Sequence, residues 1–307
     1  MSEALLLKGL DGGNPLAFMT LLGVAQMCRN FSPRTRISWL REEGSWRPAL
    51  HGFDGSEDDF VQRLWEALAA SPPQPFLIDK KLPFKQKELR SAMGQTLIES
   101  TPAQRRTADL LAGLGSDAYT DKEGFFPDSS FRMVRSGDSN GQGLPAYAQA
   151  IRKGLTLEHL HATLLAGWRY EDDAFSLRWD PVEDQRYALR WYDPSKQSNK
   201  RQGLRTMRGA NALALEGLAL LPVQPQLSGV STTSFSRLEP RRYCFTWPIW
   251  DVPVSLEVVR SLLTLPELAA KTPDREALRA IGIAEIFRSE RVAPNKYYKN
   301  FTVAHPA

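Results

Sequence analysis

Apolar positions along this chain alternate between two periods, one helical and one of strand type. ALLLKGL (4–10) is a short apolar run of the kind that makes a buried strand. The turn Asp11-Gly12-Gly13 follows, and Asn14-Pro15 is a cap with proline at the first helical position. The pattern predicts a helix from 15 to about 29 that is apolar nearly all round and therefore buried. RISWLRE (36–42) and SWRPALHG (45–52) flank a Glu-Gly turn and read as a hairpin. Ser56 caps an amphipathic helix over EDDFVQRLWEALAA, with acids in its first turn and a stripe of Phe60, Val61, Leu64, Trp65 and Leu68.

Farther along, helices are expected at about 84–98, 102–113, 145–153, 156–167, 210–221, 253–263 and 274–287. Strands are expected at FRMVR (131–135) and YCFTWPIW (243–250), with a last strand or arm at 296–303. FSLRWD (175–180) and RYALRWYD (186–193) alternate like a second hairpin across PVEDQ. The tract SGDSNGQG (136–143) reads as a mobile loop, SKQSNKRQG (195–203) as a basic loop and 222–236 as a Ser/Thr/Gly/Pro-rich connection. The irregular order of elements points to an α+β fold of mixed helices and short antiparallel hairpins, in two halves that are only loosely alike. The division suggested is an N-terminal α/β domain over 1–113, a mobile Gly/Asp/Ser-rich loop region over 114–145 and a C-terminal α+β domain over 146–307, with a single domain as the alternative.

Composition narrows the setting. The 307 residues are 42% hydrophobic and 24% charged, enough for a sizeable core. No apolar run is long enough to span a membrane, and MSEALLLKGL has no basic leader region, so a soluble cytoplasmic chain is expected. Cys28 and Cys244 sit in apolar surroundings and read as buried free thiols. The net charge of +4 permits a nucleic-acid partner without requiring one.

Catalytic signatures are absent from the pattern. There is no phosphate-binding Gly-x4-Gly-Lys loop, no Gly-x-Ser-x-Gly elbow and no cofactor fingerprint. His159 and His161 lie about 200° apart on a helix and cannot share a metal. Glu171-Asp172-Asp173 and Asp180 with Glu183-Asp184 read as solvated turn acids. Gly12-Gly13-Asn14 reads as a capping turn rather than an anion site. No catalytic residue, metal ligand or cofactor is therefore assigned.

Basic residues are distributed unevenly. Between 190 and 208 stand Arg190, Lys196, Lys200, Arg201, Arg205 and Arg208, against Asp193 alone. Arg178 and Arg186 flank this tract on the expected hairpin. Lys296, Tyr297, Tyr298 and Lys299 combine charge with stacking faces. Such clusters suit phosphate contacts, although a solvated charged face explains them equally.

LKGLDGGNPLAFMTLLGVAQM (7–27) resembles the opening of proteins from type I-G (formerly I-U) CRISPR-Cas systems. LRWDPVEDQRYALRWYDPS (177–195) and TMRGANALALEGLALLP (206–222) are similar to a family of like length in those systems, an extension associated with the helicase-nuclease. These segments cover about a fifth of the chain. The resemblance implies a role in RNA-guided antiviral defence. The chain would be a non-enzymatic effector or accessory subunit, with crRNA, target DNA, other effector subunits or the helicase-nuclease as partners. It implies no catalytic residues. It draws attention to the turn Arg208 to Asn211, where Arg208 and Asn211 would contact nucleic acid or a partner, or Asn211 would cap a helix. Two other classes stay open: a metal-dependent nuclease or nucleotide-processing enzyme using Asp117, Asp172, Asp173 or Asp180, and a protein–protein adaptor with an exposed patch at Trp247 and Trp250.

Overall fold

The computed structural model describes residues 4–73, 75–76, 85–99, 101–126, 129–133, 144–173, 175–183, 205–227, 229–240, 242–295 and 298–307. The fold is α+β, with helices gathered around small antiparallel sheets. Helix α1 (Pro15–Cys28) is its axis, and all fourteen of its residues are buried. Asn14 caps it, its Oδ1 accepting from the backbone N–H of Leu16 at 2.8 Å and Ala17 at 3.2 Å. Such a cap contributes about 1 kcal/mol.

Strands β1 (Leu5–Leu6), β2 (Arg36–Glu42) and β3 (Ser45–His51) form one sheet in the order β1-β3-β2. Helix α2 (Glu57–Ala70) starts in the capping box expected at Ser56 and buries Phe60, Val61, Leu64 and Leu68. Helices α3 (Gln86–Glu99), α4 (Pro102–Leu114), α5 (Leu144–Arg152) and α6 (Leu157–Leu165) follow. A two-residue ribbon, β4 (Asp172–Asp173) with β5 (Arg205–Thr206), precedes helix α7 (Arg208–Gly217). A hairpin of β6 (Val223–Gln226) and β7 (Gly229–Thr232) leads into the largest sheet, which contains β8 (Phe235–Glu239) and β9 (Arg242–Trp250). Helices α8 (Leu256–Leu262) and α9 (Arg275–Ala280) come next, then β10 (Ile283–Asn295), β11 (Tyr298–Phe301) and β12 (His305–Pro306). The sheet runs β11-β10-β9-β8, with β12 also on β10.

One apolar cluster runs from Leu5 to Phe301 without a break between the N-terminal and C-terminal halves. Helices α1 and α7 meet backbone to backbone. A Cβ on Gly23 would fall 1.8 Å from the Leu213 carbonyl oxygen, and one on Gly217 would fall 2.5 Å from that of Met19. Phe18 projects from α1 into an aromatic group of Trp39, Trp247 and Trp250, with ring centroids 5.7–6.4 Å away. Burial of each such ring stabilises the fold by about 2–3 kcal/mol. Strand β2 is tied to the segment between β9 and α8 by reciprocal backbone hydrogen bonds between Ile37 and Val254, each 2.9 Å.

Four expected elements differ. Residues 175–180 form no strand, because Leu177 N–H is taken by the Asn211 side chain and Arg178 sits at φ 61°. The chain then turns helical at 181–183, while 186–193 lie outside the described residues. Of the strand expected at 131–135, residues 131–133 follow a turn closed by Arg132 N–H on the Ser129 carbonyl, with Phe131 and Met133 buried, while 134–135 lie outside the described residues. The 222–236 connection holds β6, β7 and the start of β8, with Val223 opposite Thr232 and β7 beginning at Gly229, whose φ is +107°. The helix expected at 274–287 stops at Ala280, since Gly282 at φ +85° reverses the backbone and β10 begins at Ile283. The tract 136–143 also lies outside the described residues.

Candidate nucleic-acid interface

The turn Arg208–Asn211 opens α7 beside the β4–β5 ribbon. Asp172 Oδ2 accepts from the Arg208 backbone N–H at 2.7 Å, placing an acid at the helix start where the dipole favours it. The Arg208 guanidinium donates to the carbonyls of Lys153 and Asp173, both at 3.0 Å, and to Ile151 at 3.4 Å. Arg208 therefore fastens the end of α5 to the ribbon. Arg205 donates to the Glu171 carbonyl at 3.0 Å.

Asn211 corrects an expectation. It is fully buried within α7, neither capping it nor presenting a surface. Its Oδ1 accepts from Leu177 N–H at 2.8 Å, and its Nδ2 donates to Thr206 Oγ1 and the Met207 carbonyl, both at 2.9 Å. Both amide hydrogens are used and the side chain is fully buried, so it is out of reach of a nucleic acid.

Beneath this corner lies a buried acidic pair. Asp180 and Glu183 are 2% and 1% exposed, not solvated turn acids. Asp180 accepts from Tyr170 Oη at 2.7 Å, from Asn14 Nδ2 at 2.9 Å and from Val182 N–H at 2.9 Å. Glu183 accepts from the hydroxyls of Ser176 and Thr206. Burial pushes the Glu183 carboxyl up to about 7, helped by the neighbouring charge of Asp180 and opposed by its hydroxyl donors and Arg178. Burial also raises Asp180, against its three donors. These acceptor bonds tie the 175–183 segment to the cap of α1 at Asn14, to Tyr170, to Thr206 in β5 and to itself. Beside it opens a pocket of about 370 Å³ whose lining includes Lys8, Asp11, Arg47 and Trp168.

The remaining candidates separate. Arg178, partly buried, stands by Glu183. Arg186, Arg190, Lys196, Lys200, Arg201, Lys296 and Tyr297 lie outside the described residues, while Tyr298 begins β11, paired with Asn295. The four acids of the enzyme reading are not brought together. Asp117 pairs with Arg90, Asp172 lies 3.5 Å from His159, Asp173 is exposed in β4 and Asp180 is buried in its own network. Among the described residues no three metal-ligating side chains gather. His159 Nδ1 accepts from Thr156 N–H at 3.1 Å. Trp247 and Trp250 form no exposed patch: both are buried, their indole N–H groups donating to Gly12 and Ile37 carbonyls at 2.8 and 2.7 Å. Cys28 and Cys244 are buried and unpaired. Among the described residues no helix is long and apolar enough to cross a membrane.

Sequence reasoning passed over the buried acids because Asp-Pro and Glu-Asp look like a solvated bend. The available signal was Trp179, a large apolar neighbour that pulls Asp180 inward. No family model matches the chain, and no curated protein matches it either.

Proposed function

We propose that this chain is a non-enzymatic, nucleic-acid-binding or scaffolding subunit of a type I-G CRISPR effector, or an accessory to its helicase-nuclease, working in the cytoplasm on crRNA or target DNA. One observation carries the reading. The basic tract leaves the described residues after Glu183 and re-enters at Arg205, and Thr206 donates a hydrogen bond to Glu183. The described residues that flank the tract thus meet at one corner, and the sequence between them carries Arg186, Arg190, Lys196, Lys200 and Arg201 against Asp184 and Asp193. A cationic segment held at both ends suits phosphate contacts that position rather than read a strand. The family-like segments 177–195 and 206–222 flank and include this corner.

The test is titration of crRNA, single-stranded DNA and duplex DNA at two salt concentrations, alone and with the system's other subunits. Affinity is expected to fall with salt. The combined variant Lys196→Ala, Lys200→Ala and Arg201→Ala should flatten the logarithmic salt slope by about 2, at roughly 0.7–0.9 per lost phosphate contact. No binding under any of these conditions overturns the proposal.

A further inference from the structure

We infer that the pocket beside the α1 cap binds a small aromatic oxyanion, a carboxylate or phosphate carried on a flat ring, with Arg47 and Lys8 holding the charged group. The pocket measures about 370 Å³, within the range of small-molecule sites. Its walls come from the loop before α1 and the first turn of that helix, from β3, from the segment after α6, from Pro181 and Val182, and from the chain between β11 and β12. The tertiary fold therefore builds it, not one local turn.

Arg47 is the feature that points to a ligand. It lines the pocket, is half-buried, and donates through Nη1 to the Leu10 carbonyl at 3.0 Å. That bond orients the guanidinium. Among the described residues no acceptor meets the opposite edge, Nε with Nη2, and that edge is open to solvent. Arg106 shows what such an edge takes. Its Nη1 likewise donates to a backbone carbonyl, that of Pro72 at 3.0 Å, while Nε and Nη2 grip the Glu216 carboxylate at 2.7 and 2.6 Å. Arg47 repeats the first bond and lacks the carboxylate. A planar fork held in this way accepts a carboxylate or a phosphate through two parallel bonds.

The neighbouring charges agree. Lys8 also lines the pocket and is exposed, with no ion pair among the described residues. Asp11, the acid of the lining, is already spent: Oδ1 accepts from Gly13 N–H at 2.9 Å and Oδ2 from the Ser45 hydroxyl at 3.2 Å. The first N–H groups of α1 are taken by Asn14, so the anion falls to the side-chain cations and not to the helix start. The ring of the ligand is argued from the opposite wall. Trp168 and Tyr170 line the pocket with their rings edge to face, centroids 6.0 Å apart. Each is pinned by its own polar atom, the indole N–H on the Thr163 carbonyl at 3.0 Å and the phenol on Asp180 at 2.7 Å. With those donors spent, the two side chains offer fixed apolar surface, and a flat ring can pack there without ordering the wall first.

Isothermal titration with 2-naphthoate and 2-naphthyl phosphate tests the assignment. Neutral 2-naphthamide controls for the ring, and acetate and inorganic phosphate control for the charge. At least one naphthyl anion should saturate a single site, with each control weaker by roughly tenfold or more. The tighter of the two anions identifies the charged group. Arg47→Lys keeps the charge and loses the two-nitrogen edge. It should weaken the anion about tenfold and leave the naphthamide as it was. Lys8→Gln, at an exposed residue, should melt with the wild type and weaken the anion severalfold, which keeps the test sound if Arg47→Lys fails to fold. Failure of both anions to bind overturns the inference. So does naphthamide binding as tightly as the anions, or anion binding that the folded variants leave unchanged. The combined lysine and arginine variant of residues 196–201 should retain naphthyl-anion binding, so this inference and the proposed function fail separately.

Discussion

Glu183→Gln should make the protein more stable at neutral pH and less sensitive to pH between 4.5 and 7. Glu183 is 1% exposed, and burial with Asp180 beside it lifts its carboxyl from 4.5 to about 7. The folded state therefore holds a proton that the unfolded state releases. Between those two values the native protein binds more protons, so unfolding free energy falls as pH rises. The stabilising effect of protonation is complete below about 4.5 and gone above about 7. A rise of that size corresponds to about 3 kcal/mol. Asp180 shifts in the same direction, so the two carboxyls act together on the pH dependence. Carboxyls held low, such as Asp59 by the Ser56 backbone and hydroxyl, act oppositely, losing their contribution as pH falls. Comparison with the glutamine variant removes that background. Its amide keeps an acceptor for one of Ser176 and Thr206, and the other hydroxyl can turn to accept from the new N–H. Urea denaturation of both proteins at several pH values from 4.5 to 8 measures the effect. Wild type should lose stability relative to the variant across this window, by up to about 3 kcal/mol. Parallel curves would show that Glu183 is ionised in the fold and that its burial does not hold the proton.

Arg106→Met should be severely destabilising. Arg106 is 5% exposed and donates to Glu216 at 2.6 and 2.7 Å, while Arg152 reaches the same carboxylate at 3.4 Å; removing the main partner should lower unfolding free energy by about 3–5 kcal/mol in urea, less whatever Arg152 recovers. Gly23→Ala should lower the melting temperature strongly, since its Cβ would overlap the Leu213 carbonyl oxygen on α7; a change of about 1–3 kcal/mol or more is expected, and an unchanged melting temperature would refute the backbone contact. Cys28, whose thiol burial pushes up to about 12, should resist a thiol-reactive disulfide reagent in the native protein and react once the chain is unfolded.

Local grammar made most of the fold legible. The caps at Asn14, Ser56 and Thr101 mark helix starts to within a residue, because capping is a contact between neighbours in the chain. What failed depended on distant partners. The alternation in 175–180 imitates a strand, yet its period reflects Leu177 and Trp179 turning into the core while Asn211, thirty-four residues on, takes the Leu177 N–H. Glu183 looked like a turn acid because the hydroxyl of Thr206, twenty-three residues later, was out of view. The helix expected to 287 overlooked Gly282, a local signal that was present in the sequence.

The buried polar groups at the corner are satisfied within the protein, and that bears on function. At the corner of Asn14, Tyr170, Asp180, Glu183 and Asn211, nearly every bond is made internally. Such a network fixes geometry, and here it fixes both ends of the basic tract. A ligand would have to break those bonds to use these atoms, so binding there would fall to the cations that the sequence carries between Glu183 and Arg205. It follows that a defect introduced into the corner should weaken strand binding even though the corner's own buried atoms make no contact with the strand.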